Sequence, residues 1–346
     1  MNFKKISVLL KFFINLFFSG SISLKKTYNL FLNFFHSICL SGNASKFPSV
    51  LVIEPTDLCN LQCAGCGYSI SLKKNKNFLK LDEFKKIVDD SKDYVICILL
   101  YLAGEPFLNK DLIKMIQYAA ENKIGIILST NGNFTLSENW SEDFIRSRCH
   151  LIIFSVSGLT QQTYEKYHRS GKIEKINGNI KSLISTKKKL KSKFPYIKVR
   201  YLITQNNSDE IKPAEKYYTE LGVDEFETRK ALTQIKVDFE KNEEIECVNI
   251  SKSYLEKIKN FCFWLWYIMV IKSNGDVLPC CYEFFGIPRL DNIKNTPINK
   301  VWNSKIYNDF RKQVLEKRKV LKCCKNCSST FGFQDDSFDK DKEIIL

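Results

Sequence analysis

The stretch Leu51-Val52-Ile53-Glu54-Pro55-Thr56-Asp57-Leu58-Cys59-Asn60-Leu61-Gln62-Cys63-Ala64-Gly65-Cys66 sets three cysteines within eight residues, directly behind a short apolar run. The run has the composition of a buried strand, so the cysteines occupy the loop that leaves its C-terminal end. Short cysteine spacings are how chains wrap a four-iron, four-sulfur cube, which takes one thiolate per iron. Three local thiolates leave the fourth iron open to a ligand that is not protein. The plain alternative is a structural zinc knuckle. Zinc usually wants four ligands in closed tetrahedral geometry, and no fourth Cys or His lies nearby.

Outward from this loop, apolar strands alternate with amphipathic helices. Strands are expected at 51–54, 94–102, 124–129, 150–156, 197–204 and 223–227, with helices near 81–91, 109–122, 139–148, 160–168, 174–192 and 208–221. Such βα repeats with unbroken apolar strands predict a parallel sheet covered on its outer face. The expected fold class is α/β, a partial (β/α)6 TIM-like barrel followed by a small cysteine-rich C-terminal domain containing a β-hairpin. In such barrels chemistry sits at the C-terminal ends of the strands. The expected divisions are basic apolar helices over 1–50, the barrel over 51–230, a charged linker over 231–261, the cysteine-rich domain over 262–330 and a tail over 331–346.

The spacing Cys-x3-Cys-x2-Cys, followed by Tyr68, resembles the radical S-adenosylmethionine (SAM) superfamily, whose fold is the same partial barrel. The resemblance implies that Cys59, Cys63 and Cys66 hold a 4Fe-4S cluster whose open iron binds the amino and carboxylate groups of SAM. It further implies reductive cleavage of SAM to a 5′-deoxyadenosyl radical that abstracts hydrogen from a substrate, with an electron donor such as flavodoxin or ferredoxin. Ala103-Gly104-Glu105-Pro106 looks like the family's Gly-Gly-Glu-Pro motif, with Ala103 in place of the first Gly. A glycine there lets backbone approach a ligand closely, and the Glu-Pro turn offers carbonyls to the SAM ammonium. Ser129 and Asn131 end the third expected strand, and Ser155 and Ser157 end the fourth. They resemble the polar termini that hold the ribose and methionyl carboxylate, a task suited to hydroxyls because they donate and accept. Arg200 could pair with a SAM or substrate carboxylate or face outward, and Asn206 and Asn207 could line the same mouth. As isolated tetrapeptides these segments are also ordinary turns. No side chain stands out as a catalytic acid or base.

The second cysteine group runs Cys262, twelve residues, Gly275, four residues, Cys280-Cys281, then Cys323-Cys324-Lys325-Asn326-Cys327. This resembles the start of the SPASM extension behind radical SAM barrels. Ile271 to Leu278 reads as a hairpin with an Asn-Gly turn, which brings Cys262 and Cys280 to one end. The resemblance implies a shortened version with one auxiliary 4Fe-4S cluster on Cys262, Cys280, Cys324 and Cys327, leaving Cys281 and Cys323 spare. Taken alone, four thiolates with a Cys-x-x-Cys end would also suit a zinc ribbon.

The chain has 346 residues, 13 cysteines and a formal net charge of +15. An odd cysteine count at metal-ligand spacings argues against a secreted disulfide framework and for a reducing, cytoplasmic setting. The first 50 residues supply Lys4, Lys5, Lys11, Lys25, Lys26 and Lys46 and no acid. Such charge favours anionic partners, either a membrane surface or a phosphorylated or carboxylated substrate; without a recognition motif, nucleic acid is not expected. The apolar stretch Ile6 to Phe18 is too short and interrupted for a span. Leu24, Tyr28, Phe31, Phe35 and Ile38 mark a second amphipathic helix. These helices would lie on the inner membrane face, dock a partner, or cap the core. The substrate expected is a small molecule, a sugar or a lipid-linked compound. The alternatives are a ribosomal peptide, as for the family's peptide maturases, and a non-catalytic zinc-binding protein at the membrane surface.

Overall fold

The apolar runs between 50 and 230 pair side by side and in parallel. The computed structural model describes residues 21–70, 76–231, 260–281, 287–324 and 327. The chain enters through helix α1 (Leu24–Ile38), then β1 (Val50–Ile53) and a single helical turn, α2 (Gly67–Ile70). There follow α3 (Leu81–Ser91), β2 (Cys97–Leu99), α4 (Leu112–Glu121), β3 (Gly125–Thr130), α5 (Trp140–Arg146), β4 (Leu151–Val156), α6 (Gln161–Tyr167), α7 (Ile173–Lys189), β5 (Tyr196–Ile203), α8 (Ile211–Leu221) and β6 (Glu225–Lys230). The C-terminal part holds α9 (Trp264–Tyr267), β7 (Ile268–Ile271), β8 (Asp276–Leu278), β9 (Asp291–Asn292), α10 (Ile298–Trp302) and α11 (Lys305–Lys317). Residues 1–20, 232–259 and 331–346, which include the Ile6 to Phe18 stretch, most of the linker and the tail, lie outside the described residues.

The sheet runs β6-β5-β4-β3-β2-β1-β7-β8-β9, and its ends do not meet, so the barrel is incomplete. One face is covered by helices. Ile126, Leu128, Ile152, Phe154, Val199 and Tyr201 pack there against Met115, Phe144, Ile176, Ile180 and Tyr218 of the surrounding helices, all 0% exposed. Each such side chain contributes about 1.5–3 kcal/mol of burial. The expected strand at 94–102 shortens to Cys97–Leu99, because the chain leaves the sheet at Leu100 to build a loop. The last strand begins at Glu225 rather than 223 and carries a charge at every other position, which hides it from an apolar-run search.

Hairpin β7–β8 forms as expected, with Gly275 at φ +89° closing the turn. Its placement was not foreseen. Strand β7 pairs in parallel with β1, from Val50 beside Ile268 to Ile53 beside Ile271, so the hairpin extends the barrel sheet. Buried Glu54 fixes that join by accepting from Ser273 N at 3.1 Å and Ser273 Oγ at 2.8 Å. The segments behind it are clamped by Arg311, which is fully buried between the Trp302 and Tyr307 rings, 4.2 Å from each centroid. Its Nε donates to Leu265 O and its Nη1 to Trp302 O.

Candidate active site

The cysteine loop begins where β1 ends and is tied to its neighbours along its whole length. Asp57 accepts from Asn77 N and Nδ2 at 2.8 and 2.7 Å, and Asn109 Nδ2 donates to Pro55 O at 2.8 Å. Gly65 turns the chain at φ +82° between the second and third cysteines. Two backbone bonds strap the loop to the segment after α6, Gln62 N to Arg169 O at 3.1 Å and Ala64 N to Tyr167 O at 2.8 Å. From β3, Asn131 Nδ2 reaches Asn60 Oδ1 at 3.0 Å and lies 3.8 Å from Cys59 Sγ. Burial pushes the Cys59 thiol up to about 11 and raises Cys63 further, with the Cys59 and Cys66 sulfurs adding to the effect on Cys63. Neighbouring thiols that resist ionisation alone are suited to sharing a positive metal centre, which takes up the charge.

The Ala103–Pro106 segment also has a structural task within the fold. Gly104 packs on protein backbone: an added Cβ would lie 2.2 Å from Thr56 O and 2.7 Å from Leu58 O. Glu105 N donates to Leu58 O at 2.8 Å, so this turn braces the approach to Cys59. The Glu105 side chain is 2% exposed and accepts from Phe107 N, Thr130 Oγ1 and Asn131 N at 3.1, 2.7 and 2.8 Å. It therefore positions Asn131, and through it the cysteine loop. Pro106 opens a buried turn over Pro106–Leu108, and Ala103 is half-buried.

Burial pushes the Glu105 carboxyl up to about 7, against the pull of its three hydrogen bonds. A folded value above the usual 4.5 stabilises the protein below pH 4.5, and that contribution is lost as pH rises through about 7. The loss is on the order of 3 kcal/mol across the window. Glu105→Gln is expected to flatten this dependence in denaturant midpoints measured from pH 5 to 8. An unaltered slope in the variant would assign it elsewhere.

The other expected cofactor residues divide by sheet face. Ser129 and Ser155 are half-buried on the face away from the helices, Ser155 in register with Arg200 and Arg200 with Glu227. Ser157 does not share that face. It is 1% exposed, with Oγ 2.6 Å from His168 Nδ1 and 3.1 Å from Tyr164 O, so its hydroxyl is already engaged by protein. Buried Asn207 is likewise occupied, donating to Ser157 O and Leu202 O, while Asn206 stands exposed at the turn. Arg200 neither points outward nor stands alone. Its Nε lies 3.0 Å from Glu227 Oε2, which also receives Lys198 at 3.8 Å, while Arg229 reaches Glu227 Oε1 at 3.3 Å; Lys198 meets Glu225 at 3.1 Å. Burial works to raise Glu227, but Arg200, Lys198 and Arg229 overcome it and hold the carboxyl at about 2. The inner face of β5 and β6 is thus a ladder of three cations and two carboxylates.

The C-terminal cysteines gather as a second group. Burial pushes Cys262 up to about 12, with Cys280, Arg318 and Cys327 all close enough to act on it. Cys324 feels Cys323, Cys262 and Cys280, and its sulfur lies 3.7 Å from that of Cys323. Buried Arg318 sends Nη1 to Phe261 O at 2.6 Å and Nη2 to Cys327 Sγ at 3.5 Å. Cys281 acts instead on Tyr101 of the barrel, whose phenol is raised first by burial. Among the described residues no three His, Cys, Asp or Glu side chains converge as they would around one metal ion.

Residues 53–209 match the radical SAM superfamily model, and residues 262–328 match an iron–sulfur cluster-binding domain, SPASM. The chain belongs to the radical SAM superfamily. Its cofactors are 4Fe-4S clusters and S-adenosylmethionine. This radical SAM protein is 28% identical over 138 residues to a GTP 3′,8-cyclase of Desulforamulus reducens, a match covering 39% of this chain and 42% of that one. It thus spans less than half the length of that relative. Its fold is similar to BtrN in complex with AdoMet and 2-DOIA (TM-score 0.53, 20% identity, 83% of this chain and 97% of that one). It is also similar to Streptococcus suis SuiB bound to precursor peptide SuiA (TM-score 0.61, 19% identity, 78% and 68%).

The donor chemistry of both cysteine groups suits iron–sulfur ligation, although their sulfurs do not converge on a single point among the described residues. The first is a three-thiol loop with an amide donor beside one sulfur, and the second is a four-thiol group with a guanidinium beside one sulfur; such hydrogen bonds tune cluster potential. Sequence reasoning passed over His168 and Arg169, which join the β4 end to the cysteine loop. It also passed over Glu54, Arg318 and the partners of Arg200. A signal was available for Arg169 in the His168-Arg169-Ser170-Gly171 turn, where an exposed cation sits in the strap against Gln62.

Proposed function

We propose that the protein cleaves SAM reductively at a cluster held by Cys59, Cys63 and Cys66, and uses the resulting radical to abstract hydrogen from a small polar substrate that is then oxidised or modified. The observation that carries this reading is the rigid placement of the three-cysteine loop at the C-terminal ends of the strands, beside the polar inner face of β4, β5 and β6. When bound, the cluster and SAM would supply a 5′-deoxyadenosyl radical, with the electron coming from an external donor such as flavodoxin or ferredoxin. A second cluster would be held by Cys262, Cys280, Cys324 and Cys327 and would supply a one-electron acceptor.

The protein's own groups position and exclude. Glu105 and Asn131 fix the cysteine loop, while Ser129 and Ser155 offer hydroxyls from the strand ends. Arg200 brings a cation, shared with Glu227, to the inner face, where it could meet a carboxylate. Arg318 places an N–H 3.5 Å from the Cys327 sulfur. The sheet and helices keep water from a centre that would otherwise react with it.

The inner face of Lys198, Arg200 and Arg229 against Glu225 and Glu227, with one cation in excess, supports a small, anionic substrate, such as a phosphorylated or carboxylated sugar, over a long peptide. The likeness to BtrN, whose structure holds AdoMet and 2-DOIA, over nearly that protein's whole length is consistent with a small substrate. The experiment is anaerobic incubation of reconstituted protein with SAM and dithionite. The expected result is 5′-deoxyadenosine with methionine, and intact SAM with a fully loaded cluster would contradict the proposal.

A further inference from the structure

Helix α1 is built inside out. Its buried face is polar: Lys26, Asn29, Asn33 and Ser37 are 3%, 2%, 0% and 4% exposed. Lys26 Nζ donates to Lys123 O at 2.6 Å and Asn29 Nδ2 to Phe47 O at 3.1 Å. Asn33 Nδ2 donates to Phe47 O and Ser49 Oγ at 3.0 and 2.9 Å, and Ser37 Oγ lies 3.1 Å from the Tyr267 hydroxyl. Phe47 and Ser49 precede β1, Lys123 precedes β3, and Tyr267 precedes β7. The helix therefore lies across the N-terminal ends of the strands, opposite the cysteine loop.

Its outward face carries Leu24, Tyr28, Phe31, Phe34, Phe35 and Ile38, between 48% and 91% exposed. Leu24, Tyr28, Phe31, Phe35 and Ile38 recur every three or four residues and form one stripe. The helix cannot roll over to hide it. Each of the four polar groups now buried would lose its partners, at about 1–3 kcal/mol apiece. A contiguous stripe of large apolar side chains, unlike scattered ones, marks a docking face.

We propose that this face seats the protein on an anionic membrane surface. The occupant is argued from charge and side-chain type. The first 50 residues contain six lysines and no acid, within a chain of net charge +15. Exposed Lys25, in the first turn of the helix, shares its charge with Asp93 at 3.0 Å, exposed Lys46 follows the helix, and Lys26 is turned inward. Two copies meeting face to face would bring two such basic segments together, which is repulsive, whereas acidic headgroups neutralise them. One Tyr and three Phe on the apolar face over a basic flank suit the headgroup–acyl boundary. Among the described residues no helix is long and apolar enough to cross a membrane. Seated this way, the mouth holding Cys59, Cys63 and Cys66 faces away from the bilayer, and substrate enters from the aqueous side.

The test is co-sedimentation of the full chain with vesicles of phosphatidylcholine alone or mixed with phosphatidylglycerol. The wild type is expected to pellet with the acidic vesicles and to be released by high salt. Phe31→Ser/Phe35→Ser, with Tyr28→Ser as a second variant on the same face, is expected to lower partition by about tenfold, the equivalent of roughly 1.4 kcal/mol, with unchanged far-ultraviolet circular dichroism. Absence of binding to acidic vesicles overturns the proposal. So does equal binding by the variants, which places the contact in residues 1–20 or elsewhere. A dimer that dissolves on substitution without any vesicle binding would assign the face to a second copy instead.

Discussion

Replacing Cys63 with alanine is expected to abolish 5′-deoxyadenosine formation while leaving the C-terminal cluster intact. Cys63 is the middle thiol of the loop, under the electrostatic influence of both Cys59 and Cys66. Two thiolates cannot hold a four-iron cube that asks for three protein ligands, so the first cluster should not assemble. Iron content should fall from about eight to about four atoms per chain. The folding cost should stay modest. Backbone bonds from Gln62 and Ala64, the Asn60 side-chain amide donating to Asn133 O, and the Glu105–Asn131 brace hold the loop without the Cys63 sulfur. Unchanged 5′-deoxyadenosine production in this variant would remove the first site as assigned.

Replacing Cys324 is expected to separate the two sites in the opposite sense. Its sulfur lies 3.7 Å from Cys323, which could take its place, so the informative variant is Cys323→Ala/Cys324→Ala. This protein should lose about four irons and stop converting its substrate. SAM cleavage should persist at close to the unmodified rate, since β8 and Arg318 lie apart from the Cys59–Cys66 loop. Liquid chromatography with mass detection of 5′-deoxyadenosine and of altered substrate reads both outcomes at once. Normal product formation would show that the second cysteine group only holds its domain together.

The sites were legible in the sequence where their chemistry is local. Thiolates three and four residues apart need no tertiary information to suggest a cluster, and the Asn274-Gly275 turn announces its hairpin through the positive φ glycine supplies. Contacts made across the sheet were not legible. Nothing near Ile268 says that β7 will lie beside β1, because parallel pairing is set by the whole barrel. The period-2 pattern of β5 and β6 shows charges on one face but not that Arg200, Lys198 and Arg229 meet on Glu227. Helix α1 makes the same point in reverse. Its stripe was visible at Leu24, Tyr28, Phe31, Phe35 and Ile38, yet amphipathicity gives a direction and no sign. Only the hydrogen bonds of Asn29 and Asn33 show which face is buried. Ser157 and Gly104 were singled out by motif, and packing gives each a task inside the fold. Ser157 bonds His168 inside the fold, and Gly104 makes room for the backbone at Thr56.

The most direct test is the iron, labile sulfide and zinc content of anaerobically reconstituted protein. The two-cluster assignment predicts about eight irons and eight sulfides per chain, a brown colour and broad charge-transfer absorbance. A colourless protein carrying zinc and no labile sulfide would contradict it.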